Sequence, residues 1–251
     1  MYDKFSSDYD RFVNWAGRLA VELPFLESKL QHAGARRVLD AACGTGQHAI
    51  ALAQRGYDAV GADLSAGMIG RARASAKAES VPARFVVAGF GELLAQVGGG
   101  FDALLCLGNS LPHLLTPSDL AAALADFAAC LRPGGLVLIQ NRNFDRVLAR
   151  QERWMEPQSH REGDQEWVFL RLYDFRLDGL LDFHVVTLYR QGGEAWTQRI
   201  ASSPLWPQRE VELTEALSKA GLVGVTRYGD LAGAPFQPDS SPNLVLAARH
   251  K

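Results

Sequence analysis

Arg37-Val38-Leu39-Asp40-Ala41-Ala42-Cys43-Gly44-Thr45-Gly46-Gln47-His48-Ala49-Ile50 is the stretch from which the rest of the chain can be read. Val38 and Leu39 are apolar, Gly44 and Gly46 bracket a sharp turn, and a helical pattern begins at Gln47. That predicts a buried strand, a glycine loop and a helix. A side chain at either glycine would hold a ligand off the backbone N–H groups at the helix start, so a cofactor is expected across this loop. The next strand, Tyr57 to Asp63, ends in a carboxylate. An acid about 20 residues beyond the first glycine is placed to bind ribose hydroxyls.

Gly44-x-Gly46-x-x-Ala49 by itself fits dinucleotide loops as well. Asp40 separates the two cases. A carboxylate at the strand end would repel a pyrophosphate over the turn, whereas it would attract a ligand carrying a sulfonium and an ammonium. The reading is therefore S-adenosyl-L-methionine, with S-adenosyl-L-homocysteine as product. These residues resemble motif I of the class I S-adenosylmethionine-dependent methyltransferases, with Asp40, Gly44 and Gly46 in place and Asp63 as the motif II acid, and Ala42 between them is a further cofactor-binding candidate. The resemblance implies an α/β fold, a doubly wound, mostly parallel seven-stranded sheet of Rossmann-like form.

The 251 residues, 47% of them hydrophobic, suffice for one large domain with an insertion. A net charge of -2 without any run of lysine or arginine argues against a nucleic-acid substrate. Cys43, Cys106 and Cys130 are odd in number and lack C-x-x-C spacing, as expected of packed thiols in a reducing, cytoplasmic compartment. Met1 to Phe5 has neither a basic region nor an apolar core, and no apolar stretch reaches spanning length, so no membrane contact is expected. Carboxylates and histidines show no metal-ligand spacing, and no metal is expected.

Upstream of the first strand, Phe12, Trp15, Leu19 and Leu23 recur at spacings of three and four, then Pro24, then Phe25, Leu26 and Leu30. Two short amphipathic helices over residues 6 to 33 are predicted. Beyond Asp63, Ser65 is placed to cap a helix that Gly67 and Gly70 weaken, and Leu64 and Met68 are candidates to wall an adenosine. Arg84 to Ala88 reads as a third strand. Gly89 follows where many methyltransferases carry an acid that contacts the adenine amine, so backbone groups around Ala88 and Phe90 are expected to serve instead.

Phe101 to Leu107 is a continuous apolar run, as a strand buried on both faces must be. It gives way to Gly108-Asn109-Ser110-Leu111-Pro112-His113-Leu114, at the end where ligands collect. His113 is either the candidate base or a histidine that bonds backbone near a helix start. The run is similar to the strand-four motif of the glycine N-methyltransferase and glycine/sarcosine N-methyltransferase group. The likeness continues through Leu131-Arg132-Pro133-Gly134-Gly135, a helix end and turn before a fifth strand, to Asn141-Arg142-Asn143-Phe144-Asp145, and covers roughly residues 9 to 150. It implies that Leu107, Asn109 and Ser110 border the cofactor, that Asn143 contacts an amino-acid acceptor, and that Arg18 clamps the methionine carboxylate, with Tyr9 directed at the same site. Phe144 and Asn141 stand where the group has tyrosine and histidine.

Trp167, Phe169, Arg171, Tyr173 and Phe175 alternate with other side chains, Asp178-Gly179 turns, and Leu181, Phe183, Val185, Thr187 and Tyr189 alternate back, which predicts a hairpin. Trp196 to Ala201 adds a third strand, giving a small antiparallel sheet able to cover an acceptor pocket. Arg171 and Arg199 each suit an acceptor carboxylate, which guanidinium grips bidentately, or a salt bridge within the sheet. A helix through Leu213 and Leu217 and an antiparallel pair of strands, Leu222 to Tyr228 and Asn243 to Ala248, close the chain. The expected organisation is a helical segment at 1-34 over the cofactor, a core at 35-151 and 208-251, and an antiparallel insertion at 152-207.

A sulfonium methyl is already activated, so its transfer needs alignment, exclusion of water and a place for the proton more than it needs catalytic groups. The expected function is methyl transfer to a small molecule, most simply an amine or amino acid of the glycine/sarcosine kind. O- or C-methylation of another metabolite, a dinucleotide-dependent oxidoreductase and a non-catalytic cofactor-binding protein are the alternatives.

Overall fold

The structure, a computed structural model, describes residues 9–251. The expected helix start at residue 6 and the reading of Met1 to Phe5 lie outside them. In chain order the strands are β1 (Arg37–Ala41), β2 (Asp58–Asp63), β3 (Arg84–Val87), β4 (Phe101–Cys106), β5 (Leu131–Arg142), β6 (Gln158–Glu162), β7 (Gln165–Phe175), β8 (Leu181–Gln191), β9 (Thr197–Leu205), β10 (Leu222–Tyr228) and β11 (Asn243–His250). The helices are α1 (Trp15–His32), α2 (Gln47–Ala53), α3 (Ala66–Ala78), α4 (Leu93–Val97), α5 (Pro117–Cys130), α6 (Phe144–Arg150) and α7 (Glu210–Lys219).

Seven strands make one sheet in the order β10-β11-β5-β4-β1-β2-β3, with β11 antiparallel to both its neighbours and the rest parallel. Successive side chains of a strand point to opposite faces, and both faces here are covered. Val38, Ala103 and Leu105 join α1, α2 and α3 in one buried cluster, while Leu39, Leu104 and Cys106 join α4, α5 and α7 in the other. Full burial of each such Leu contributes about 1.5–3 kcal/mol, which is why a near-continuous apolar run was needed at β4. The order reverses at β1 and β4, so the carboxyl ends of these two strands open a crevice.

Two expectations of local structure are corrected. Pro24 does not separate two helices: α1 runs through it. One lost backbone hydrogen bond at Pro24 is outweighed by the burial of Leu23, Phe25, Leu26 and Leu30 along one face. The second sheet has four strands, in the order β6-β7-β8-β9, rather than three. The unpredicted β6, Gln-Ser-His-Arg-Glu, is an edge strand with no buried residue, so it carries no apolar alternation to betray it. Pro204 is tolerated in β9 because that strand is the opposite edge.

The second sheet is fixed to the first at the carboxyl end of β4. Trp206 N donates to Pro112 O at 2.8 Å and Gln208 Nε2 to Leu111 O at 3.0 Å. Its inner face, with Trp167, Phe169 and Val185, packs on Tyr9 and Phe12. Asp10 ties this segment down by accepting from Thr45 Oγ1 at 2.7 Å and from the Trp15 indole at 2.9 Å.

Candidate active site

The crevice is a cavity of about 510 Å³. Ten of the expected site residues line it: Tyr9, Ala42, Gly44, Asp63, Leu64, Met68, Phe90, Leu107, Ser110 and His113. Sequence reasoning missed Glu92, Gly108, Leu114 and Ser203, which complete the wall with Ala88 and Gly89.

Backbone holds Asp63. Asp63 Oδ2 accepts from Gly44 N at 2.9 Å and Oδ1 from Ser65 N at 2.9 Å. This bond explains why β2 must end in an acid and why the loop must reach it: Ala42 and Gly44 both take left-handed φ, 61° and 56°. Asp40 is 2% exposed near the end of β1, behind the lining of the cavity and not part of it, and its Oδ2 has no hydrogen-bond partner among the described residues. Burial pushes its carboxyl up to about 6; His48 and Arg18 pull the other way and Asp63 adds to the rise. An orphaned carboxylate oxygen beside a second acid calls for a cation, and a sulfonium or an ammonium supplies one. The residues therefore fit S-adenosylmethionine, with Leu64, Met68 and Phe90 as apolar walls and Asp63 beside the Gly44 amide.

Gly46 has a different reason from the one expected. It does not line the cavity; a Cβ there would lie 2.5 Å from the Phe85 ring and 2.8 Å from Ala72 Cβ. The same ring would meet a Cβ on Gly61 at 2.6 Å. Packing against Phe85 of β3 and Ala72 of α3, with a left-handed φ of 79°, calls for glycine at Gly46. Arg18 also lies outside the lining. Its Nε bonds Glu22 at 2.9 Å, its guanidinium is 5.1 Å from the Trp15 ring centroid, and Nη2 reaches to 4.0 Å from the Cβ position of Gly108, at the rim.

The rim without an acid at 89 is built otherwise. Asp126, which reads as a surface acid of α5, accepts from Gly91 N, Leu93 N and Leu94 N at 2.8–3.0 Å and so fixes the start of α4. Glu92 Oε2 accepts from Gly89 N at 3.3 Å, bringing a carboxylate to the place where one was missing.

Asn109 is likewise structural. Gly108 and Asn109 are both left-handed, and the turn is bolted to β5: Gly108 N donates to Gln140 Oε1 at 2.7 Å, Asn109 N to Gln140 O at 3.0 Å, and Asn109 Oδ1 accepts from Arg142 N at 2.8 Å. This displays Leu107, Gly108 and Ser110 to the cavity. His113 follows on a single 3-10 turn, with Nδ1 3.3 Å from Ser203 Oγ of β9. Burial pushes this imidazole down to about 4, so at pH 7 it is neutral, the form able to accept a hydrogen bond or a proton.

Asn143 does not face the cavity. Oδ1 caps α6 through Arg146 N at 3.3 Å, and Nδ2 donates to Pro238 O at 2.8 Å and Ser241 O at 3.0 Å, which uses both amide hydrogens. Arg199 is exposed on β9, in a separate surface depression with Trp167, Thr187 and Tyr189. Arg171 lies on the inner face of β7 over the Phe12 ring, 4.8 Å from its centroid, outside the lining of the cavity, and forms no salt bridge with a described residue. Arg142, which the sequence carries inside the Asn141-Arg142-Asn143 run, comes near both it and the buried Tyr173 phenol. The Nε atoms of both arginines are buried without a partner, and no described carboxylate pairs with either. Burial and the Arg142 charge pull the Arg171 pKa down, while the phenols of Tyr173 and Tyr9 support its charge.

Comparisons with known proteins agree with this geometry. Residues 38–135 match the family described as "Methyltransferase domain". A glycine/sarcosine N-methyltransferase from Aphanothece halophytica is 30% identical over 98% of this chain and 88% of its own length. Another, from Parasynechococcus marenigrum (strain WH8102), is 39% identical over 58% of this chain, and there the match spans only about half (52%) of the relative. An S-adenosylmethionine-dependent methyltransferase structure from Clostridium acetobutylicum ATCC 824 has the same fold, with a TM-score of 0.79 over 99% of this chain and 98% of that one, at 16% identity. No helix among the described residues is long and apolar enough to cross a membrane. The chain belongs to the family of S-adenosylmethionine-dependent methyltransferases that includes the glycine/sarcosine N-methyltransferases.

Proposed function

We propose that this chain methylates the nitrogen of a small amine that carries a carboxylate, an amino acid of the glycine or sarcosine kind, with S-adenosylmethionine as donor. The observation that supports it is the half-buried pair Arg142 and Arg171, which stand beside Tyr173 and Tyr9, outside the lining of the cavity, with Nε atoms that are buried and have no partner among the described residues. Burying a guanidinium without an anion costs several kcal/mol, and an acceptor carboxylate offsets that cost with charge-assisted bonds. The chain's relatives, glycine/sarcosine N-methyltransferases, support the same substrate class.

The bound donor supplies an electrophilic methyl on its sulfonium. Asp40 and Asp63 balance the donor's charge and grip its ribose, while Leu64, Met68 and Phe90 enclose its base. Neutral His113, oriented by Ser203, accepts a hydrogen bond from the acceptor amine and keeps the nitrogen lone pair free to attack. The four-stranded sheet and Tyr9 roof the site against water, so that 9-34, the described part of the helical segment, and 152-207 act as covers on the core at 35-151 and 208-251. No basic track serves a polymer.

Turnover of methyl-labelled donor against glycine, sarcosine, ethanolamine, glycine methyl ester and small alcohols tests this. The carboxylate-bearing amines are expected to turn over and their neutral counterparts not to. Equal rates with ethanolamine or the ester would remove the role given to the arginines.

A further inference from the structure

Trp15, Arg18 and Glu22 recur at spacings of three and four on α1, so their side chains stand on one face of that helix, toward the glycine loop and the start of α2. Asp10, bonded to Thr45 of the loop, also holds the Trp15 indole, and the Trp15 ring meets the His48 ring edge to face at 5.5 Å. Glu22 is the centre of the group. Its Oε1 accepts from Arg18 Nε at 2.9 Å, and its Oε2 lies 2.7 Å from Nε2 of the buried His48. An exposed ion pair of this spacing on a helix contributes little. Here the Glu22 side chain is only 13% exposed, and its second oxygen is tied to another element, the helix that begins at the glycine loop. Burial pushes the Glu22 carboxyl up, but the bonds to His48 and Arg18 and their charges outweigh it, so the group stands below the ordinary glutamate value and is ionised at pH 7.

Held in this way, Arg18 presents one end to the rim. Trp15 lies against the guanidinium at 5.1 Å, Glu22 takes Nε, and neither Nη bonds a described residue. Nη2 comes to 4.0 Å from the Cβ position of Gly108, which lines the cavity, and the Arg18 charge acts on Asp40 and on Tyr9. The amino-acid tail of the donor carries both signs. Asp40 and Asp63 attract its ammonium and repel its carboxylate, which directs the carboxylate to the Arg18 end of the cavity. We infer that Glu22, anchored by His48, is a positioning residue for the donor: it sets the Arg18 guanidinium at the rim, Nη end toward the donor carboxylate, before the donor arrives. An arginine already held at Nε and stacked on a ring loses less freedom when it grips a carboxylate than an unanchored one. The Glu22 charge also repels that carboxylate, but both its oxygens are taken up by hydrogen bonds, and positioning outweighs the repulsion.

Titration calorimetry of the full chain with two ligands tests this. S-adenosylhomocysteine carries the amino-acid tail; methylthioadenosine has the same adenosine and thioether sulfur without it. Glu22→Gln should weaken S-adenosylhomocysteine by about fivefold or more and change methylthioadenosine by less than about twofold. In an Arg18→Met background, where nothing is left to aim, Glu22→Gln should change neither ligand by more than about twofold. A smaller loss or a gain for S-adenosylhomocysteine, an equal loss for methylthioadenosine, or the same loss on top of Arg18→Met would each overturn the assignment. Glu22→Asp, which keeps the charge and draws it back from Arg18, is held to the same readings should Glu22→Gln fail to fold, as far-UV circular dichroism will tell.

Discussion

The ionisation of Asp40 offers a test of the donor's charge that needs no turnover. In the ligand-free protein burial holds this carboxyl at about 6, against about 3.9 for an ordinary aspartate. With the folded value above the unfolded one, the stability Asp40 contributes is full below about pH 4 and is lost as pH rises through 6. A cation placed at the partnerless Oδ2 favours the ionised form and reverses the shift. If binding returns the carboxyl to its ordinary value, affinity for the cationic donor rises about fortyfold between about pH 4 and 6.5, equivalent to about 2 kcal/mol. Binding at pH 5.5 then releases roughly 0.7 proton, and almost none at pH 7.5. Isothermal titration in two buffers of different ionisation enthalpy reads that number directly. Asp40→Asn should abolish the release and flatten the affinity profile, which separates Asp40 from His48 and Glu22 beside it. A wild-type release near zero at pH 5.5, or one that persists in Asp40→Asn, would refute the assignment of a cation to this oxygen.

Other substitutions divide structural from binding roles. Asn143→Ala should lower unfolding free energy by about 2–4 kcal/mol in thermal or chemical denaturation, from a lost helix cap and two lost buried hydrogen bonds, with the acceptor KM of the surviving folded fraction unchanged. Arg171→Met should raise KM for carboxylate-bearing amines by about 30-fold or more and leave donor affinity alone, as steady-state kinetics and titration will tell. Glu92→Gln should weaken donor binding by about 1 kcal/mol, and an analogue with hypoxanthine in place of adenine should not distinguish variant from parent; equal donor affinity in both would mean that backbone alone reads the base.

What the sequence revealed was what periodicity and loop geometry encode. The strand–glycine loop–helix at Arg37 to Ile50 and the acid at Asp63 were legible because one hydrogen bond, Gly44 N to Asp63, requires both at fixed spacing. β4 was legible because burial on two faces forbids polar residues. Pro24 misled, since a local rule yields to a long apolar face that only the fold reveals. Asn143 and Asn109 misled in another way: an asparagine beside a site looks the same in sequence whether its amide meets a ligand or backbone carbonyls. Arg142, Glu92 and Ser203 were invisible as site residues because their roles depend on partners up to 90 positions away, such as His113 for Ser203.

Phe85 sets a rule about the order in which this core is able to change. Its ring occupies the space of two absent methyl groups, 2.5 Å from a Cβ on Gly46 and 2.6 Å from one on Gly61. Any larger residue at either position collides with it, so a library at 61 built on the parent should return glycine alone. Shortening Phe85 to alanine leaves a void costing about 3–5 kcal/mol, but it admits alanine at 61, where the backbone is not left-handed and the nearby Cys43 thiol has room to turn. Gly46 stays bound by its φ of 79° even then. Descent through this site therefore has a direction: the ring must shrink before the glycine grows, and each lineage that has taken the first step has closed the way back once the second is made.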